Sequence, residues 1–402
     1  MRKYSEYKNS DIPWIGNIPS HWNIERGKNV LTLLDRPIMD TDDVITCFRD
    51  GEVTLRKNRR EEGFTLSFQE IGYQGIEPGD LVVHGMDGFA GAIGVSDSRG
   101  KATPVLNVMD SIHNKRFLMY YLRTAAYKDV FMSLSTGIRV RSCDLRWNKL
   151  SVFPFVLPER EEQDRIAEYI DDKLLQINNI ISEAKASIEE YKAWKASIIY
   201  ETITKGLRSI NSPIKTNNSK FPYIPQKWCV IRFKYLLSIK SGDSIQNEEL
   251  IDNGDYPVYG GGECIGYANQ YNCDDRNILI GRVGARCGFT TLLQSRAWAT
   301  DNALIVNSNI YVKYLYYMLV AANLNTLNTS NAQPLITGTK IKNCMMPYTN
   351  DKSEQIEMVS FLDSRCANID EIIDEKNKLI KDLEAYKKSL IFEVVTGKRK
   401  VV

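Results

Sequence analysis

The sequence is poor in the residues from which most reaction centres are built. It has three histidines in 402 positions, His21, His84 and His113, at unrelated points. A Ser-His-Asp or Cys-His arrangement has little to draw on. The eight cysteines (Cys47, Cys143, Cys229, Cys264, Cys273, Cys287, Cys344 and Cys366) are scattered, with no Cys-x-x-Cys pair. A structural zinc site is therefore not expected, and free thiols in a reducing compartment are. No Gly-x-x-x-x-Gly-Lys-Ser/Thr loop is present to cradle phosphates. No Asn/Asp-Pro-Pro-aromatic motif is present to methylate an exocyclic amine. The carboxylate pairs Asp42-Asp43 and Asp274-Asp275 sit among fifty acidic residues and read as turn and surface positions. The opening "MRKYSEYKNSD" is too polar for a signal peptide. The most apolar stretch, around Tyr314–Leu324, is too short to span a bilayer. A soluble, cytoplasmic protein is expected.

Two segments lack proline and glycine altogether, residues 160–204 and 352–396. They are also copies of each other. "EEQDRIAEYID" begins at Glu161 and "KSEQIEMVSFLD" at Lys352, which aligns Glu162-Gln163…Asp171 with Glu354-Gln355…Asp363 at an offset of 192. The offset holds without a gap to "AWKASIIYETIT" and "AYKKSLIFEVVT", after which Gly206 and Gly397 mark helix ends. Weaker matches precede each segment. "IPSHWNIERGK" (18–28) resembles "IPQKWCVIRFK" (224–234) at an offset of 206. "DLVVHGMDGFAG" (80–91) resembles "NILIGRVGARCG" (277–288) at 197, and "IHNKRFLMYYL" (112–122) parallels "IYVKYLYYMLV" (310–320) at 198. Each half thus reads as an Ile-Pro-x-x-Trp entry, a Gly-rich body, an aromatic helix and a long helix.

Within the long segments the steps alternate 3 and 4, the spacing of a paired-helix seam. The seam runs through Leu174, Ile177, Ile181, Ala184, Ile188, Tyr191, Lys195 and Ile198. Its second copy runs through Cys366, Ile369, Ile373, Lys376, Ile380, Leu383, Lys387 and Leu390. At about 1.5 Å per residue each helix would be roughly 60–70 Å long, and the obvious partner for each stripe is the other copy. Antiparallel pairing is preferred, because it sets two like halves around an approximate two-fold axis. Ile180, Ile372, Trp194 and Tyr386 form a second apolar stripe, open either to the bodies or to helices of other chains.

The net charge of +2 does not by itself announce a nucleic-acid partner. Its distribution says more. The bodies carry net +2 (1–158) and +4 (209–350), while the helical segments carry −3 (159–208) and −1 (351–400). That suits two anion-binding modules on a near-neutral support. "RKNRR" supplies Arg56, Lys57, Arg59 and Arg60, and "GRVGAR" supplies Arg282 and Arg286 among glycines, where backbone can approach a ligand or simply turn a hairpin. "TGIRVR" (Arg139, Arg141) and "TGTKIK" (Lys340, Lys342) alternate basic and apolar residues, the pattern of a half-buried strand with one wet face.

Taken in order, the two Ile-Pro-x-x-Trp entries, the two Gly-rich bodies and the doubled "EQ…I…" helices resemble the specificity subunit of type I restriction–modification systems. The likeness extends over essentially the whole chain, although the Pro-rich lead-in is only partly kept ("FPFVLPEREEQ" and "MPYTNDKSEQ"). It implies an α+β fold with two target-recognition domains, at 1–157 and 207–350. Each would be followed by a spacer helix, at 158–206 and 351–402. It implies double-stranded DNA with a bipartite target as ligand, and no catalysis by this chain. Two modification subunits would hold S-adenosylmethionine and methylate adenine, and ATP- and Mg-dependent restriction subunits would translocate and cleave. The alternative is a coiled-coil protein–protein adaptor that does not bind DNA.

Overall fold

The computed structural model describes residues 2–59, 71–133, 145–207, 213–328 and 334–401. The chain divides into two compact units. The first comprises Met1–Ala184 and Lys378–Val402, and the second Lys185–Asn377. Two helices dominate the element order, Arg160–Lys205 and Lys352–Val395. These helices cross the unit limits, so each unit combines one body with the start of one long helix and the end of the other.

This sharing sets the direction of pairing. In the first unit Lys387 Nζ donates to Asn178 Oδ1 at 2.7 Å. In the second unit Lys195 Nζ donates to the Asp370 carboxylate at 2.6 and 2.7 Å. Each contact sets the end of one helix against the other helix, so the pairing is antiparallel. Ile177, Ile181, Ala184, Ile188, Ile369, Cys366 and Leu390 are buried along the seam. Leu174, Ile380 and Leu383 are partly buried against the core of the first unit, and Ile198 against that of the second. Tyr191 and Ile373 are half-buried, with Lys376 Nζ 5.8 Å from the Tyr191 ring centre. Near the helix ends the buried positions step off the heptad, to Ile199 and Ile203 in the second unit and to Ile391 and Val395 in the first. There the helix packs on a body, and a body presents a wider face than a partner helix does. Ile180, Trp194 and Tyr386 of the second stripe are exposed, and Ile372 is half-buried.

The helices end where a left-handed residue is available. Gly206 has φ +74° and Gly397 φ +71°. A Cβ at Gly397 would lie 2.2 Å from Pro19 Cδ, so the Ile-Pro-x-x-Trp entry packs directly on this helix end.

Each body is built on a four-stranded antiparallel sheet. In the first the order is Thr32–Leu33, Leu106–Asp110, Leu81–His84, Ile93–Val95. In the second it is Ser238–Ser241, Ala303–Asn307, Ile278–Gly281, Thr290–Leu292. The central strands are continuous apolar runs because both faces are covered. Leu81 and Val83 face the aromatic core while Val82 joins a second cluster with Ile45, Cys47 and Val108. Ile278 and Ile280 against Leu279 repeat that division. The registers coincide residue by residue: His84 pairs with Leu106 and Gly281 with Ala303, and Leu81 pairs with Val95 and Ile278 with Leu292. The sequence match that looked weak at 197 is thus an intact frame.

Two expectations are corrected. "TGTKIK" is not a strand: Gly338–Asn343 is a short helix, whose N-cap Thr337 accepts from the Lys340 N–H at 3.4 Å. Side-chain capping of a free N–H outweighed the two-residue alternation. The aromatic helices, Lys115–Tyr127 and Val312–Ala321, superpose in role at 197 rather than 198, for the reason given next.

Candidate functional site

The doubled Glu-Gln…Asp motif proves to be a joint rather than a reaction centre. Arg116 and the Tyr120 hydroxyl both engage Asp171. In the second unit Lys313 Nζ lies 2.6 Å from Asp363, and the Tyr317 hydroxyl donates to it at 2.8 Å. Arg116 with Lys313 and Tyr120 with Tyr317 are 197 apart, which fixes the offset. Burial first, and then the hydrogen bond to Asp363, pushes the Tyr317 hydroxyl well above the ordinary phenol range. The same carboxylate raises the Lys313 ammonium. Both groups therefore stay protonated and hold the joint.

Gln163, fully buried, accepts from the Asn114 N–H at 2.9 Å and donates to the Pro158 carbonyl at 2.9 Å. Gln355 donates to the Thr349 carbonyl at 2.7 Å. Glu162 accepts from the Tyr4 hydroxyl at 2.6 Å and lies 3.0 Å from His21 Nε2. Glu354 accepts from Trp228 Nε1 at 3.0 Å. Each motif thus ties a helix start to the aromatic helix and to the entry segment of its own unit.

The basic candidates fall into separate groups. In the first unit Arg56–Asn58 form a single 3-10 turn. Arg56 Nε donates to Thr46 Oγ1 at 3.2 Å, and Lys57 pairs with Asp43 at 2.5 Å. Arg59 pairs with Asp50 at 2.7 Å and Glu52 at 2.8 Å while its guanidinium lies 4.3 Å over the Phe48 ring. Three nearby acids thus offset the charge of this cluster. Arg60, Arg139 and Arg141 lie outside the described residues.

In the second unit Arg282 and Arg286 share the loop that closes the strand pair Ile278–Gly281 and Thr290–Leu292. Arg282 reaches Ser241 Oγ at 3.4 Å, and Arg286 pairs with Glu263 and lies 5.0 Å over the Phe289 ring. The Arg282 carbonyl accepts from the Ile336 N–H at 2.9 Å, which brings the helix carrying Lys340 and Lys342 beside that loop. Lys340 Nζ donates to the Leu327 carbonyl at 3.3 Å. Arg282, Arg286 and Lys340 therefore share one region.

Burial pushes the Cys47 thiol up to about 12 and the Cys273 thiol to about 11, so neither is a nucleophile. Among the described residues no group of three or more His, Cys, Asp or Glu side chains is placed to hold a metal ion. None of the described helices is long and apolar enough to cross a membrane.

Residues 225–382 match the type I restriction modification DNA specificity domain. Across its length the chain is similar to the putative type I restriction enzyme MjaX specificity subunit of Methanocaldococcus jannaschii, 22% identical over 99% of this chain and 98% of that one. It is also similar to the type I restriction enzyme EcoprrI specificity subunit of Escherichia coli, 28% identical. That alignment covers 32% of this chain and only about a third of the relative (33%). Over its length the chain is thus similar to type I restriction–modification specificity subunits. Its fold matches a solved chain described under complex assembly and conformational transition of the type I R-M system. The TM-score is 0.71 at 12% identity, over 95% of this chain and 99% of that one. The HsdS subunit from Thermoanaerobacter tengcongensis matches at a TM-score of 0.50 and 13% identity, over 95% and 98%.

Proposed function

We propose that this chain recognises a bipartite double-stranded DNA target, one half-site per body. The antiparallel helices would dock modification subunits and set the gap between the half-sites. On this reading the chain catalyses nothing itself. S-adenosylmethionine, ATP and Mg belong to the modification and restriction subunits. The observation that supports the reading is the repeated frame: one hydrogen-bond register occurs in both units, with unlike residues on its rim. A protein that holds two like partners over two unlike half-sites needs that combination.

The test is transfer of a labelled methyl group from S-adenosylmethionine to DNA. The chain alone should transfer none, and the chain assembled with its modification subunits should methylate a two-part sequence. Exchanging residues 20–150 for the corresponding body of a relative should change one half of that sequence. Transfer by the isolated chain, or a change in both halves, would overturn the reading.

A further inference from the structure

The two halves serve as each other's alignment, and one loop stands out. Residues 85–91 and 282–288 follow the central strand of each body, are equal in length and share the backbone bonds that frame them. The residue before the loop donates its N–H across it, His84 to the Ala92 carbonyl at 3.0 Å and Gly281 to the Phe289 carbonyl at 2.9 Å. The first loop residue donates to the neighbouring strand's lead-in, Gly85 to Val105 at 2.7 Å and Arg282 to Asn302 at 2.9 Å. Its carbonyl accepts at 2.9 Å from Leu145 in one unit and from Ile336 in the other. Both loops contain one 3-10 turn and end on a glycine of positive φ, Gly91 at +95° and Gly288 at +83°.

What the loops display is opposite. The first shows Met86, 55% exposed, and Asp87, which pairs with Arg49 at 2.9 Å, while Phe89 packs against the core. The second shows Arg282 and Arg286. The frame accepts both sets, so closing the hairpin does not dictate either. Residues 285–290 line a cavity of about 760 Å³ together with Lys192 and Lys195 of the long helix.

We propose that these matched loops are sequence-reading elements of the two bodies, an inference that rests on the DNA-recognition reading above. The guanidinium forks of Arg282 and Arg286 suit the O6 and N7 acceptors of guanine. Asp87 suits an exocyclic amine donor such as cytosine N4, and Met86 suits a thymine methyl.

The experiment uses the whole chain assembled with its modification subunits, with methylated sites read by sequencing. One variant places the second loop in the first body: Gly85→Arg, Met86→Val, Asp87→Gly, Gly88→Ala, Phe89→Arg and Ala90→Cys. A Cβ at Gly85 would lie 3.0 Å from the Val105 carbonyl, and one at Gly88 2.7 Å from the movable tip of Leu145. The other variant is Arg282→Gln with Arg286→Gln, which leaves the loop's backbone bonds intact and gives up only the side-chain contacts to Ser241 and Glu263. The graft should alter one half of the target. The double Gln variant should relax a guanine position in the opposite half, by roughly ten- to hundredfold in relative methylation. If the graft does not assemble, the double Gln variant decides alone. An assembled double Gln variant with the wild-type target and unchanged discrimination would overturn the proposal. A wild-type complex that methylates no bipartite site would instead overturn the underlying reading.

Discussion

Gln163 is a single side chain on which a whole joint depends, and its removal can be worked through. Its carboxamide oxygen accepts from the Asn114 N–H at 2.9 Å. Its nitrogen donates to the Pro158 carbonyl at 2.9 Å and lies 3.0 Å from His113 Nδ1. The residue is fully buried. Gln163→Ala leaves a backbone donor and a backbone acceptor without partners where water has little access. Each orphaned group costs about 1–3 kcal/mol, and the loss of packed side chain adds to that, so about 3–5 kcal/mol is expected. With a denaturant slope of about 3 kcal/mol/M, the urea midpoint of the first unit should fall by roughly 1–1.7 M. Far-UV circular dichroism, with Trp22 and Trp14 fluorescence as a local probe, reads the transition. Gln163→Met separates the causes: it keeps the volume but supplies neither bond, and should cost nearly as much as Ala. A midpoint shift below about 0.3 M for both variants would refute the joint. A neutral Met variant beside a costly Ala variant would assign the stability to packing instead.

Three further outcomes follow from the same geometry. Gly397→Ala should destabilise the first unit by about 2 kcal/mol or more, because its φ of +71° is strained for any Cβ and Pro19 Cδ lies 2.2 Å away; thermal melts check this. Burial, as the largest cause, holds His84 below its ordinary 6.5. The folded state thus binds fewer protons than the unfolded chain, and stability is lost as pH falls below about 6.5; His84→Asn should flatten that slope in urea titrations between pH 7.5 and 5.5. A heptad inserted after Ile181 and another after Ile373 keeps the seam in register and adds about 10 Å of helix. The assembled complex should then methylate the same half-sites about three base pairs further apart, and an unchanged gap with retained activity would remove the helices as ruler.

The long helices were legible because paired-helix packing writes itself along the chain at a fixed period. Insertions are excluded wherever the two copies must match in length, and the constant 192 offset records that constraint. Their ends were less legible, because Ile199 and Ile391 answer to a body brought close by folding, and the heptad carries no sign of it. The joint was half-visible. Glu-Gln…Asp stood out as a pattern, but its partners Tyr4, Asn114, Tyr120 and Tyr317 are remote in sequence and became visible only in contact. "TGTKIK" misled because six residues satisfy a strand period and a capped turn equally well, and Thr337 decided for the turn.

The proposed binding surface was the hardest to read, for a reason built into the proposed function. A frame is repeated where both halves must do the same thing, and it leaves a sequence signal at 197 that the hydrogen bonds make unmistakable. A reading surface has to differ between halves, so its residues share no pattern to be found by comparing them. Arg282 and Arg286 were visible as charge, whereas Met86 and Asp87 were not visible at all. They gain meaning only from occupying the same place on the same frame. Disagreement within an agreeing scaffold, rather than basic charge alone, is therefore the more informative guide to specificity here. By that criterion the loop after each central strand is the stronger candidate for base contact, although Arg286 is paired with Glu263 much as Arg59 is with Asp50 and Glu52.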